Sequence, residues 1–113
     1  MTNDASKPPP TPVFRVDKFV VPADALPAFI ERMQHIQRSV RALPGCRRDL
    51  LLTQSGGAGE FNVVRWIEWA DAQAIADAQL VIQKQFAEEG FDPTQFFVQE
   101  LGARADLGLY REA

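Results

Sequence analysis

The sequence predicts an α+β fold in which two helices cover one antiparallel sheet, in the ferredoxin-like order β-α-β-β-α-β. Runs rich in β-branched and aromatic residues alternate with two stretches of helical periodicity. Pro-Gly follows the first helical stretch and a glycine follows the second, as is typical of helix ends. The 113 residues suit a single domain, and no internal repeat divides them.

The first strand and the first helix are predicted from residues 13–43. Residues 13–21 form an apolar strand that Pro22 closes. Asp24 is a suitable N-cap for the helix that follows, and Pro27 falls in its first turn, where the missing N–H does little harm. Pro44-Gly45 ends this helix. Its apolar face is made by residues spaced three and four apart: Leu26, Phe29, Ile30, Met33, Ile36, Val40 and Leu43.

A hairpin and the second helix follow. Residues 48–54 and 61–69 are predicted strands, joined by a glycine-rich turn at residues 55–59. Asp71 is a suitable N-cap for a helix that Gly90 ends. Its apolar face comprises Ile75, Ala78, Ile82 and Phe86.

The apolar residues 96–103 predict a fourth strand, and Leu109-Tyr110 could add an edge strand in the tail at residues 104–113. Residues 1–12 contain four prolines and predict a flexible or polyproline-like tail. The expected organisation is therefore a Pro-rich tail at residues 1–12 and one α+β domain at residues 13–113.

Composition excludes several classes of function. The net charge is −3 and no basic run occurs, so we expect no nucleic-acid partner. No apolar run approaches the ~20 residues of a membrane helix, and the polar start of the chain does not resemble a signal peptide. One cysteine and one histidine cannot build a Cys/His metal site. We expect a soluble protein of the reducing cytoplasm, without a metal.

Both faces of the predicted sheet carry large apolar groups. In the third strand Val63 and Ile67 lie on one face, whereas Val64 and Trp66 lie on the other. Two helices can cover only one face, and an exposed second face would leave a large apolar patch. The simplest cover is the same sheet of a second copy, so the sequence predicts a homodimer.

The chain resembles the antibiotic-biosynthesis monooxygenase family of dimeric α+β barrels. The family has the same element order, and its Pro-Gly after the first helix is matched by Pro44-Gly45. Its segment W-E-S-x-x-A, between the third strand and the second helix, is matched in part by residues 69–74, which begin at Trp69. The resemblance covers about residues 13–105.

The resemblance implies a cofactor-independent monooxygenase that binds a small aromatic or quinol-like molecule between sheet and helices. Such an enzyme favours the substrate anion, which supplies the electrons for O2. One branch has an asparagine where this chain has Arg65 and a tyrosine where it has Ile75, so that only Trp69 is retained. The haem-degrading branch has its site residues where this chain has Lys18, Ala78 and Glu88, which argues against haem degradation.

The residues themselves leave alternatives open. Trp69 either stacks on an aromatic ligand or packs in the core at the strand-helix junction. Arg65 shares its face and needs an anionic partner, which is a ligand, an internal acid such as Glu100, or solvent. Lys18, in the family's first-strand site position, either adds a second cation or is a strand-edge lysine. The remaining predicted substrate contacts are apolar: Phe29, Met33, Ile75 and Phe86.

Other ionisable residues are weaker candidates. His35 is the only histidine, but helical spacing places it away from the apolar face, which indicates a solvated position. Asp17 and Glu68 are expected on the sheet face opposite to the site, where Arg15 or a partner chain could pair with them. Cys46 is expected to be a small buried residue.

Three functions are compatible with these observations. The first is the cofactor-free oxygenase, with Arg65 and Lys18 as catalytic candidates. The second is a ligand-binding or regulatory dimer without chemistry, which the missing family residues favour. The third is another reaction on the same scaffold, because fold alone does not determine activity.

Overall fold

The computed structural model describes residues 11–113, so most of the predicted Pro-rich tail lies outside the described residues. A 3-10 turn (Ala23–Ala25) precedes the first helix. The elements are β1 (Val13–Val20), α1 (Leu26–Arg41), β2 (Cys46–Thr53), β3 (Val63–Trp69), α2 (Ala72–Glu89), the π-helical α3 (Thr94–Glu100) and β4 (Arg104–Tyr110).

The four strands form one antiparallel sheet in the order β2-β3-β1-β4. The central pair is β1 with β3, in a register that places Asp17 opposite Arg65. Strand β4 pairs with the other edge of β1, and β2 pairs with β3. Helix α1 connects β1 to β2, and helix α2 precedes β4 after β3. This connectivity and strand order are ferredoxin-like and confirm the predicted fold class.

The fourth strand lies later in the chain than predicted. Residues 94–100 form the helical segment α3, and the strand begins only at Arg104. Asp92 accepts a hydrogen bond from the Gln95 N–H (3.2 Å) and so favours a helical start. Phe97 is buried against Phe29, with ring centroids 4.9 Å apart. A short apolar run fits either a strand or a buried helical turn, and here tertiary packing selects the helix.

Helix α1 begins two residues after the predicted cap. Asp24 lies in the 3-10 turn, and the N-cap of α1 is Ala25, which makes no side-chain hydrogen bond. Pro27 lies in the first turn, as expected. The buried face of α1 comprises Phe29, Met33, Ile36, Gln37 and Val40, so the predicted apolar face is confirmed with one polar addition.

Helix α2 is capped at both ends as predicted. The Asp71 carboxylate accepts the Ala74 N–H at 2.8 Å, and Gly90 adopts the left-handed conformation that ends the helix. Gly45 also has a positive φ of 84°, and a Cβ there would lie 2.5 Å from the Ala74 Cβ. Only glycine therefore allows the α1–β2 turn to approach α2 this closely.

The sheet has a helix-covered face and an outer face. Buried Val13, Phe19, Val63, Ile67 and Trp69 pack toward the helices. No helix within residues 11–113 is long and apolar enough to span a membrane. Strand alternation and register assign to the outer face the apolar residues Phe14, Val16, Val20, Leu50, Leu52, Val64 and Trp66.

Candidate functional site

A cavity of about 440 Å³ lies between the helix-covered face of the sheet and the helices. Its wall is mostly apolar, and five of its residues carry a charged or amide side chain: Arg15, Asp17 and Arg65 from the sheet, and Gln79 and Gln83 from α2. The sheet supplies Arg15, Asp17, Phe19, Arg65, Ile67, Trp69, Ala105 and Leu107, and the helices supply Met33, Ile36, Val40, Ile75, Ala78, Gln79, Ile82, Gln83, Phe86, Thr94, Phe97 and Val98.

Five of the seven residues predicted to form the site line this cavity. They are Arg65, Trp69, Met33, Ile75 and Phe86. The structure brings them together because β3 carries the first two on its helix-covered face and the helices turn the other three toward it.

The other two predicted residues do not line the cavity. Phe29 is fully buried behind it, against Phe19 and Phe97. Lys18 alternates to the outer face, where its Nζ lies 3.9 Å from Asp106 and 5.1 Å from the ring centre of Phe61. Lys18 therefore supplies no second cation to the cavity, and its geometry fits the alternative in which it is a solvated strand lysine.

The partner of Arg65 is Asp49 on β2. The Arg65 Nη2 donates to Asp49 Oδ2 (2.8 Å) and the Arg65 Nε donates to Asp49 Oδ1 (3.2 Å), which makes a two-pronged ion pair. Gln37 of α1 adds a hydrogen bond to the same carboxylate (3.0 Å), and Arg41 donates to the Asp49 carbonyl (2.8 Å). The internal acid anticipated for Arg65 exists, but it is Asp49 and not the exposed Glu100.

One guanidinium nitrogen of Arg65 is left almost free. Its Nη1 contacts only the Met33 Sδ, at 3.6 Å, among the described residues. A thioether is a weak acceptor, so an oxyanion entering the cavity would be a better partner for Nη1. The side chain of Arg65 is only 9% exposed, so its charge acts with little screening by water.

Asp17 lines the cavity on the helix-covered face of the sheet, whereas the sequence analysis predicted it on the opposite face. It lies opposite Arg65 in the β1–β3 register and is buried. The Arg15 Nε donates to its Oδ1 at 2.8 Å. Burial raises the pKa of Asp17 above its usual value, although the Arg15 hydrogen bond and the charges of Arg15 and Arg65 act in the opposite direction.

The alternation of buried side chains along β1 was the sequence signal that could have assigned Asp17 to the helix-covered face. Val13, Asp17 and Phe19 are buried at odd positions of β1, so a carboxylate of that parity faces the helices. Glu68 does lie on the outer face, with an oxygen 3.7 Å from Arg47.

The position of Trp69 is compatible with both of its predicted roles, stacking on an aromatic ligand and packing in the core. It is 5% exposed and belongs to the core cluster, and it also lines the cavity. An aromatic ligand in the cavity would therefore meet the Trp69 ring without any change in the packing on its other side.

The remaining candidates lie elsewhere. His35 is on the partly exposed side of α1, within 3.5 Å of the Arg38 Nη2 and outside the cavity. Burial raises the pKa of the Cys46 thiol, which disfavours a reactive thiolate. Within residues 11–113, no three His, Cys, Asp or Glu side chains are grouped in a way that could hold a metal ion.

The sequence profile described as antibiotic biosynthesis monooxygenase matches residues 12–79. No curated protein matches the chain at a significant level. These 68 residues include β1 to β3, and hence Asp17, Asp49, Arg65 and Trp69.

Solved structures share the fold at low identity. A Shewanella loihica PV-4 protein proposed to be a monooxygenase is 22% identical, with a TM-score of 0.68 over 91% of this chain and 95% of its own. SnoaB, a cofactor-independent oxygenase from Streptomyces nogalater, is 22% identical with a TM-score of 0.64, over 90% of this chain and 93% of its own. A haem-degrading protein from Mycobacterium tuberculosis is 20% identical with a TM-score of 0.59, over 90% and 91%.

Replacing Arg65 with methionine should destabilise the protein by about 3–5 kcal/mol, because the fully buried Asp49 carboxylate then lacks its counter-charge. The double variant Arg65→Met/Asp49→Asn should lose less than the single variant, since no uncompensated charge remains. Urea denaturation with a constant m-value measures both effects.

The matched control is Arg104→Met, which breaks an ion pair of similar length (2.9 Å) whose side chains are both 61% exposed. Its cost should stay below about 1 kcal/mol. Equal costs for the two arginine substitutions would show that the Arg65–Asp49 pair is not a buried structural charge pair.

Proposed function

This chain belongs to the antibiotic biosynthesis monooxygenase family, and we propose that it is a cofactor-independent monooxygenase that oxidises a small aromatic, quinol-like substrate with O2. The observation that carries the proposal is the buried Arg65, whose Nη1 has only a thioether partner at the wall of an apolar cavity. This geometry suits the binding of an oxyanion among aromatic and aliphatic groups.

The cavity has the size and lining that a small aromatic molecule requires. Its volume of about 440 Å³ falls within the roughly 300–1,000 Å³ of small-molecule sites. Trp69, Phe86 and Ile75 offer apolar surface to the ring, and Gln79 and Gln83 offer amide groups for further hydroxyl or carbonyl oxygens.

Arg65 would favour the ionised substrate. A guanidinium within hydrogen-bond distance stabilises the phenolate or enolate relative to the neutral molecule, so the pKa of the bound substrate falls. The anion is electron-rich and can pass electrons to O2. For an activated CH2 group the overall change is CH2 + O2 → C=O + H2O, with the substrate as the only reductant. The Arg65 side chain is only 9% exposed and its neighbours in the wall are mostly apolar, so its interaction with an anion is screened less than in bulk water.

The test is oxygen consumption by chelator-treated protein on a panel of quinols and anthrones. Uptake above the uncatalysed background is expected for the wild type. Arg65→Lys should lower kcat by about 10²-fold, because a lysine keeps the charge but loses the planar pairing with Asp49 that positions Nη1.

Arg38→Lys on the exposed side of α1 is the control and should leave the rate unchanged. Substrate binding without oxygen uptake across the panel would contradict the oxygenase and would favour a ligand-binding or regulatory role for the same cavity.

We further infer that the protein is a homodimer joined through the outer face of the sheet and that it acts in the cytoplasm, where its single cysteine stays reduced. The outer face carries seven apolar residues, among which Phe14 and Trp66 pack with ring centroids 5.2 Å apart and ring planes tilted by 40°. Its flanking charges include Arg48, Lys18 and Glu68, which are of both signs and so can pair across a two-fold axis.

Leu52→Glu should shift the protein from dimer to monomer, because it places a charge on the outer face at a position that is 48% exposed in the single chain. Sedimentation velocity measures the change. Leu80→Glu is the matched control on α2, at 69% exposure, and should leave the dimer intact. A wild-type protein that sediments as a monomer at micromolar concentration would contradict the dimer.

A further inference from the structure

We propose that Asp17 is the catalytic base of this cavity, accepting the proton of the substrate O–H or activated C–H while Arg65 holds the resulting anion. This inference rests on the proposed oxygenase function and supplies the proton acceptor that the reaction needs. The sequence analysis gave no convincing candidate for this role, since helical spacing predicted a solvated position for the single histidine, His35. The structure places His35 outside the cavity.

The position of Asp17 carries the inference. Among the described residues it is the only carboxylate that lines the cavity. It faces Arg65 directly across the β1–β3 pair, so the two side chains start from Cβ atoms about 4.5–5.5 Å apart on the same face. Both side chains line the same cavity, and the Arg65 charge is close enough to lower the pKa of Asp17. A small aromatic molecule in the cavity can therefore contact both residues.

The two oxygens of Asp17 have different surroundings. Oδ1 accepts the Arg15 Nε–H at 2.8 Å, which fixes the orientation of the carboxylate. Oδ2 accepts no hydrogen bond from a described residue, and Asp17 contributes to the cavity wall. One oxygen is thus held by Arg15 while the other can take a proton.

The summed charge around the substrate favours a site in which Asp17 accepts the proton over a site in which Arg65 acts without a proton acceptor. Arg15, Asp17, Asp49 and Arg65 together carry no net charge. When the proton moves from substrate to Asp17, the carboxylate becomes neutral and the substrate becomes an anion, so the cluster plus substrate remains neutral. Without this transfer, the anion would add an uncompensated charge beside the buried Arg65 and Asp17, which is costly.

The transfer step is complete in itself. The substrate O–H or C–H bond breaks, its electron pair stays on the substrate, and the proton binds an oxygen of Asp17. The subsequent oxidation uses O2, as in the proposed function. Product formation then returns the proton to solvent through the water that is released, and Asp17 is again ionised.

The surroundings of Asp17 tune its basicity. Desolvation raises its pKa most strongly, and Asp49 raises it further, whereas Arg15 and Arg65 lower it. The cavity-facing residues of α1, α2 and α3 include no titratable group, and those of β4 are Ala105 and Leu107. The raised pKa makes Asp17 a better proton acceptor than an exposed aspartate, and activity should fall as pH decreases through that raised pKa.

The first measurement is the pH profile of kcat for the wild type and for Asp17→Asn, which keeps the shape and can still accept from Arg15. The substitution should lower kcat by about 10²–10⁴-fold at pH values below the substrate pKa. The deficit should shrink at higher pH, where the substrate arrives already ionised. Asp77→Asn, on the exposed side of α2, is the matched control.

A binding measurement separates this inference from the proposed function, because it needs no turnover. The probe is 4-nitrophenol at a pH where the free probe is ionised, titrated by calorimetry in two buffers of different ionisation enthalpy. Wild-type protein should take up close to one proton per bound phenolate, because the incoming anion protonates Asp17. Asp17→Asn should take up none.

Each outcome decides a specific point. Equal proton uptake by the two proteins, or an Asp17→Asn deficit that is constant with pH, would overturn the assignment of Asp17 even if the wild type consumes oxygen. Proton uptake that requires Asp17, combined with no oxygen consumption, would support Asp17 as the acceptor and contradict the oxygenase. Failure of both proteins to bind the probe would contradict an oxyanion site at Arg65, and with it the assignment of Asp17.

Discussion

The buried ion pair between Arg65 and Asp49 is the constraint on which the site depends. A guanidinium can lie at the wall of an apolar cavity only if a carboxylate offsets the cost of removing it from water. Asp49 does this with both oxygens, and its Oδ1 also accepts a hydrogen bond from the Gln37 amide. Strand β2, strand β3 and helix α1 are thereby joined at one point.

The same pairing also directs the chemistry. With Nε and Nη2 committed to Asp49, the nitrogen Nη1 is the one left for a ligand. Its direction is fixed by a structural contact and not by the ligand, which is what preorganised stabilisation of an anion requires. Arg15 performs the corresponding task for Asp17 at the facing position of β1. A cavity without net charge can therefore still separate a proton from an anion.

The sequence predicted the fold because its local signals agree with its tertiary structure. The cap at Asp71, the turn at Gly45 and the periodicity of both long helices all appear as expected. The fourth strand was misplaced because Phe96 and Phe97 pack on other aromatic rings in a helical turn, and a short run of apolar residues does not distinguish the two conformations.

The site was predicted in part, for a similar physical reason. Arg65 and Trp69 follow simple alternation along β3, so their shared face was correctly predicted. Asp49 was not identified as the partner of Arg65, because the contact depends on the β2–β3 register, which alternation along a single strand does not give. This register includes a one-residue shift between Cys46 and Arg48. Without that shift Asp49 would pair with Trp66 on the outer face, and a one-residue slip exchanges the two faces of a strand.

Tryptophan fluorescence tests the central claim most directly, because the two tryptophans lie on opposite faces of the sheet. In Trp66→Phe the remaining emission comes from Trp69, at the cavity wall. Titration with a small phenol or quinone should quench it saturably, and substitution of Arg65 by lysine should weaken the binding. The same titration of Trp69→Phe should show no saturable quenching. Quenching of equal size in the two tryptophan variants, or none in either, would contradict a ligand site between the sheet and the helices.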